Sequence, residues 1–119
     1  MIALADPAIE DRLDLVFQAL ANRTRRAILR RVSNGPARIT ELAAPFEMAL
    51  PSISKHVAIL ERAGLINRSI QGRVHSCAFD PGPLASADEW LSAYRTFWSD
   101  NLDGLARFVE GEPEIKKGR

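Results

Sequence analysis

Along the chain the apolar residues change period, from helical spacing to alternation and back, and each change predicts an element. Ile9, Leu13, Val16, Phe17 and Leu20 recur at helical spacing behind Asp6-Pro7, an N-cap followed by proline in the first turn, so a helix of about residues 7–20 is expected. Asn22 can cap a second helix, NRTRRAILRRVSNG, in which Ala27, Ile28 and Val32 form a narrow apolar stripe and Gly35-Pro36 ends the element. Thr40 is placed to cap a short third helix, TELAAPFEM, with Leu42, Ala43 and Phe46 on one face and Pro45 limiting its length. Pro51 opens a fourth, PSISKHVAILERAG, with Ile53, Val57 and Leu60 inward and Gly64 at its end. Two short helices joined by a tight turn, over about residues 39–64, predict a helix-turn-helix.

The runs LINRSIQ and RVHSCAF around Gly72 are rich in β-branched and aromatic residues, so a hairpin of about residues 65–79 is expected, its tip flanked by Arg68 and Arg73. After the DPGP break at 80–83 comes a long helix of about residues 84–109. In it Leu84, Leu91, Trp98 and Leu105 repeat every seven residues, beside Ala87, Tyr94 and Phe108. With Trp90 and Phe97 this helix is apolar on more than one face. A small monomer needs only one, so the second surface is expected to meet a copy of the same chain. One mainly α domain with a small β-hairpin over residues 1–111 follows, in the order α-α-α-α-β-β-α, with a flexible polar tail at 112–119.

Composition fits that picture: 119 residues, 46% of them apolar, can fill a core without disulfides or metal. The single cysteine, Cys77, has no internal partner, and no segment holds the roughly 18 unbroken apolar residues of a membrane helix. A cytoplasmic protein without cofactor is expected. The formal charge of +1 conceals an uneven distribution. Residues 1–21 carry −3, residues 22–79 carry +7 and residues 80–119 carry −3. A basic centre between acidic flanks suits a polyanion-binding face, although a solvated arginine-rich helix surface gives the same count.

On the fourth helix, a turn of 100° per residue that puts Ile53, Val57 and Leu60 inward leaves Pro51, Ser52, Lys55, Ala58 and Arg62 outward, with Ser54 at the side. That small, polar, basic face can enter a DNA major groove about 12 Å wide. The hydroxyls of Ser52 and Ser54 have a competing use as caps of their own backbone. His56, at the edge of the apolar stripe, either packs internally or meets the DNA backbone. Arg73 at the hairpin tip fits the adjacent minor groove. Of Arg25, Arg26, Arg30 and Arg31, some are expected to pair with Glu10, Asp11 or Asp14.

The stretch from LVFQALANRTRRAILRR through LPSISKHVAILERAGLI to the following GR and CAF resembles the ArsR family of bacterial winged helix-turn-helix repressors, over about residues 12–108. The C-terminal WLSAYRTFW is similar to the metal-independent, autorepressor-like branch. The resemblance implies a homodimer on a near-palindromic operator in double-stranded DNA, with no enzyme activity. It also implies DNA contact by Pro51, Ser52, Ser54, Lys55, His56, Arg62, Arg68 and Arg73, and an interface of Leu13, Phe17, Leu91, Tyr94, Trp98 and Leu105. Aligned on PSISKH, the Cys-x-Cys pair of metal-sensing relatives falls at Arg38 and Thr40, which cannot supply thiolates, and no metal ligand set is expected. Cys77, two residues after His75 in a strand, is either a small buried residue or a redox-active thiol. Trp90, Tyr94, Phe97 and Trp98 form core or interface, or line a small-molecule pocket. An enzyme using His75 and Cys77 lacks a third orienting group. A winged helix that binds only proteins stays open, and the sequence identifies neither the operator nor an inducer.

Overall fold

The structure, a computed structural model, describes residues 6–95 together with residues 97, 99, 104, 108 and 109. Helix α1 spans Pro7–Leu20, and the Asp6 carboxylate accepts from the Ala8 N–H at 2.9 Å. Helix α2 spans Arg23–Val32, with the Asn22 side chain accepting from the N–H groups of Thr24 and Arg25. Both caps satisfy backbone donors that a helix start otherwise leaves unpaired.

A two-residue strand, β1 (Ala37–Arg38), precedes helix α3 (Ile39–Ala43). Neither was expected in this form. The cap of α3 is Arg38 rather than Thr40, and Glu41 reaches back to accept from the Arg38 N–H at 2.7 Å. Only five residues are helical because Pro45 cannot continue the ladder. Helix α4 spans Leu50–Arg62 and closes as expected at Gly64, whose φ of 79° is strained for a residue with a Cβ. There the Leu65 N–H bonds the Leu60 carbonyl and the Gly64 N–H that of Glu61, a Schellman closure.

Strands β2 (Ile66–Gln71) and β3 (Val74–Phe79) pair antiparallel across a two-residue turn in which Gly72 takes a φ of 64°. β1 joins the free side of β3, pairing Ala37 with Cys77 and Arg38 with Ser76, so the wing is a three-stranded sheet in the order β1-β3-β2. A two-residue strand has no periodicity to betray it, which is why sequence reading finds only the hairpin.

Contact density divides the chain into two units, Met1–Ala87 and Asp88–Arg119. The first has one core: Val16, Ile28, Val32, Leu42, Ile53, Val57, Leu60, Leu65, Ile66 and Cys77 are all buried to 2% exposure or less. The inward stripe expected on α4 is the one buried. Leu13, expected at a dimer interface, is 6% exposed and packs in this core. Helix α5 runs Gly82–Ser92, and i→i−3 bonds from Ala93 and Tyr94 tighten its end, so the long helix expected over 84–109 is not continuous through residue 94. Among the described residues of the second unit, the rings of Trp90 and Tyr94 meet at a tilt of 50° with centroids 5.0 Å apart and remain exposed, as does Phe97. Trp98, Leu105 and the tail at 112–119 lie outside the described residues. No helix among the described residues is long and apolar enough to cross a membrane.

Candidate nucleic-acid interface

Burial of Ile53, Val57 and Leu60 fixes the rotation of α4, and with it the face turned outward. Pro51, Ser52, Lys55, Ala58 and Arg62 are exposed, while Ser54 and His56 are half-buried at the edges. Neither serine hydroxyl is used to cap its own backbone: α4 has no side-chain cap, and its N-cap residue is Ala49. The positive end of the helix dipole therefore meets solvent at Leu50-Pro51, where an anionic oxygen is stabilised.

Arg25 lies behind this helix. Its Nε donates to the Ala19 carbonyl at 2.9 Å and one terminal nitrogen to the Gln18 carbonyl at 2.7 Å, while Arg26 donates to the Leu20 carbonyl at 2.8 Å. Both close the C-terminal end of α1, where cations suit the dipole. The pairing expected between these arginines and Glu10, Asp11 or Asp14 does not occur among the described residues, whose ion pairs are Arg38–Glu41, Arg68–Glu61 and Arg95–Asp88. The other terminal nitrogen of Arg25 is 3.3 Å from Nδ1 of His56. Arginine only donates, so Nδ1 accepts and the proton sits on Nε2, the one ring atom left to donate outward. Burial, and then the Arg25 charge, push the His56 pKa below its ordinary value.

The wing departs most from expectation at Arg68. It faces Cys77 in the middle of the sheet, five residues before the tip residue Arg73, and its side chain is 15% exposed. One terminal nitrogen meets the Glu61 carboxylate on α4 at 3.1 Å, and the other lies 3.1 Å from Nδ1 of His75, which accepts. Arg68 therefore ties the end of α4 to both long strands, and its buried Nε has no partner. The family resemblance implies DNA contact by Arg68. Strand alternation sends the side chain to the covered face instead. Arg73, in the turn itself, is exposed.

Cys77 is fully buried, and burial pushes its thiol pKa up, away from the nucleophilic thiolate. It shares a sheet face with His75 as expected, but the imidazole is held by Arg68.

A helix-turn-helix domain model matches residues 20–69, the span from the end of α1 into β2. The chain is 34% identical over 99 residues to the HTH-type transcriptional regulator Rv2034 of Mycobacterium tuberculosis, covering 83% of this chain and 90% of that one. It is 30% identical over 76 residues to the transcriptional repressor SdpR of Bacillus subtilis, covering 64% and 84%. A crystal structure of an ArsR family transcriptional regulator, RHA00566, superposes with a TM-score of 0.72 at 44% identity, over 82% of this chain and 97% of that one. The fold alone is shared with a homodimeric winged helix-turn-helix DNA-binding domain from Mycobacterium bovis, at 23% identity and TM-score 0.61 over 82% and 94%. The fold and the exposed basic helix define a winged helix-turn-helix DNA-binding protein. The chain belongs to the ArsR family and is a DNA-binding transcriptional regulator, not an enzyme.

Proposed function

We propose that this regulator is a cytoplasmic homodimeric repressor that occludes its promoter by placing two copies of α4 in successive major grooves of a near-palindromic operator. The observation that carries the reading is the division of α4: its apolar face is wholly buried, and the opposite face is small, polar and basic. Pro51, Ser52, Ser54, Lys55, Arg62 and the Nε2–H of His56 read or brace the major groove, and Arg73 enters the flanking minor groove. Arg68 acts through the wing without touching DNA. Two-fold symmetry sets half-sites about 34 Å apart or a multiple of it.

Dimerisation is supported by the homodimeric relative of the same fold and by the exposed aromatic stripe Trp90, Tyr94 and Phe97. Phe17 and Leu91 complete the interface proposed on the first and last helices; Leu13 does not belong to it. Repression is supported by the similarity to a named repressor. Metal control through the thiolate pair of metal-sensing relatives is not part of this reading, because the residues at those positions are Arg38 and Thr40.

The test is binding to DNA from the chain's own upstream region, followed by fluorescence anisotropy across a salt series. The pair Ser54→Ala and Lys55→Ala is expected to reduce operator affinity by tenfold or more while leaving the dimer intact, at about 1–3 kcal/mol per base contact. Unchanged affinity and specificity in that double variant refute the assignment of α4.

A further inference from the structure

β1 pairs with β3 at only two positions before the chain turns into α3, so Val74 and His75 have no strand on that side. A groove of about 350 Å³ occupies the space between the first turn of α3, the start of α4 and the wing tip, with Arg38, Thr40, Leu50, Ser54, Arg73 and His75 among its lining residues. Arg68 also borders it, but its charge is already met by Glu61 and one of its donors by His75. The remaining positive charge of the groove belongs to Arg73 and to Arg38, whose one carboxylate neighbour is the exposed Glu41.

Arg38 is freer than its ion pair suggests. Its Nε is 3.8 Å from Glu41, with both side chains largely exposed, a separation at which a surface pair contributes little. The Glu41 carboxylate accepts from the Arg38 backbone N–H at 2.7 Å, and that bond, followed by the charges of Arg38 and Arg31 and a bond with the Arg38 side chain, holds its pKa below the ordinary value. Glu41 thus closes the start of α3 and meets the Arg38 side chain at Nε, which leaves the two terminal guanidinium nitrogens for a further acceptor. Arg38, Arg73, Thr40 and Ser54 all line this one concavity, and each side chain carries donors, a set that suits tetrahedral oxyanion chemistry.

We propose that this groove seats a backbone phosphate of bound DNA, with Arg38 and Arg73 as its cations and Thr40 and Ser54 as its neutral donors. The proposal rests on the reading that α4 enters a major groove and the wing the neighbouring minor groove. The strand dividing those two grooves must then pass between α4 and the wing tip, where this groove lies. A phosphate held here sets the register of α4 without reading sequence.

The full-length protein is titrated onto its operator and onto unrelated duplex DNA at several KCl concentrations. Arg38→Ala is expected to weaken both alike and to lower the slope of log affinity against log salt by about 1.8, that is about 0.9 for each phosphate in the two copies. Arg38→Lys keeps most of the slope, and Arg68→Met leaves it unchanged. The exposed Arg38 side chain can be removed without disturbing the core. An unchanged slope in Arg38→Ala, or a loss confined to the operator, overturns the proposal while leaving the α4 assignment intact. Wild-type protein with no salt-dependent DNA binding removes the functional reading itself. Inorganic phosphate titrated at constant ionic strength distinguishes a free anion: saturable amide shifts around Arg38 and Thr40, with DNA affinity indifferent to Arg38→Ala, would assign the groove to a small anion and overturn the backbone seat.

Discussion

Replacing Arg68 by Met separates the two roles open to a wing arginine, support and phosphate contact. The substitution removes a bond to the Glu61 carboxylate and one to His75. The Glu61 side chain is 40% exposed, so water replaces the lost partner and the cost falls to about 1 kcal/mol, with roughly another 1 for the His75 bond. Against this, the change removes a buried Nε–H that has no partner, a group whose burial costs roughly 1–3 kcal/mol. Met keeps an unbranched stem of similar reach, so little cavity is created. The terms nearly cancel, and Arg68→Met is expected to lie within about 1 kcal/mol of wild type. Arg68→Ala also strips the buried stem and is expected to cost about 2 kcal/mol more, at roughly 0.8 per methylene. Urea unfolding of the three proteins measures both values. A loss above about 3 kcal/mol in Arg68→Met would show that the ion pair is strongly net stabilising and refute the cancellation. In the same proteins an unchanged salt slope of DNA binding is expected for Arg68→Met, and a fall near 1.8 would return Arg68 to the phosphate contacts.

His56 gives a pH signature. Its pKa is lowered in the folded chain, so below about 6.5, the ordinary imidazole value, the unfolded chain takes up a proton first. Stability is whole above that pH and declines as pH falls below it; His56→Gln is expected to flatten this part of a plot of unfolding midpoint from pH 8 to 5, and an unaltered decline would contradict the assignment. Cys77 is expected to react with an aromatic disulfide at least a hundredfold more slowly in native protein than in urea, since both burial and the raised pKa suppress the thiolate; equal rates would reopen a redox role. Tyr94→Asp puts a charge into the exposed aromatic stripe and is expected to raise the dimer dissociation constant tenfold or more by analytical ultracentrifugation, with the helix content of the first unit unchanged. A fully dimeric variant at low micromolar concentration would remove that stripe from the interface.

The elements that sequence reading located share one property: their signals are local and periodic. Asp6-Pro7, Asn22 and Gly64 mark helix ends because capping and left-handed closure involve residues within a few positions of each other. The stripe Ile53, Val57, Leu60 gave the rotation of α4, and hence the outward Ser52 and Lys55 and the lateral Ser54, because helix geometry is the same wherever the helix docks. Thr40 misled because any serine or threonine before an apolar run resembles a cap. The actual cap, Arg38, works through its backbone N–H and the Glu41 carboxylate three residues on.

The sequence by itself determined the order of the helices, the hairpin, the basic centre and the outward face of α4, since each follows from spacing or from a count of charges. Only the tertiary structure decided which partner each arginine takes. Arg25 and Arg26 close α1, Arg68 bridges α4 to the wing, and Arg38 and Arg73 border one groove, although the five are equivalent as sequence symbols. A long flexible cation pairs with whatever acceptor the fold brings within about 3 Å, and that is set by contacts between residues distant in the chain. Leu13 packs in the core of its own chain for a like reason: a helical stripe says that a side chain will be covered, but only packing says by what.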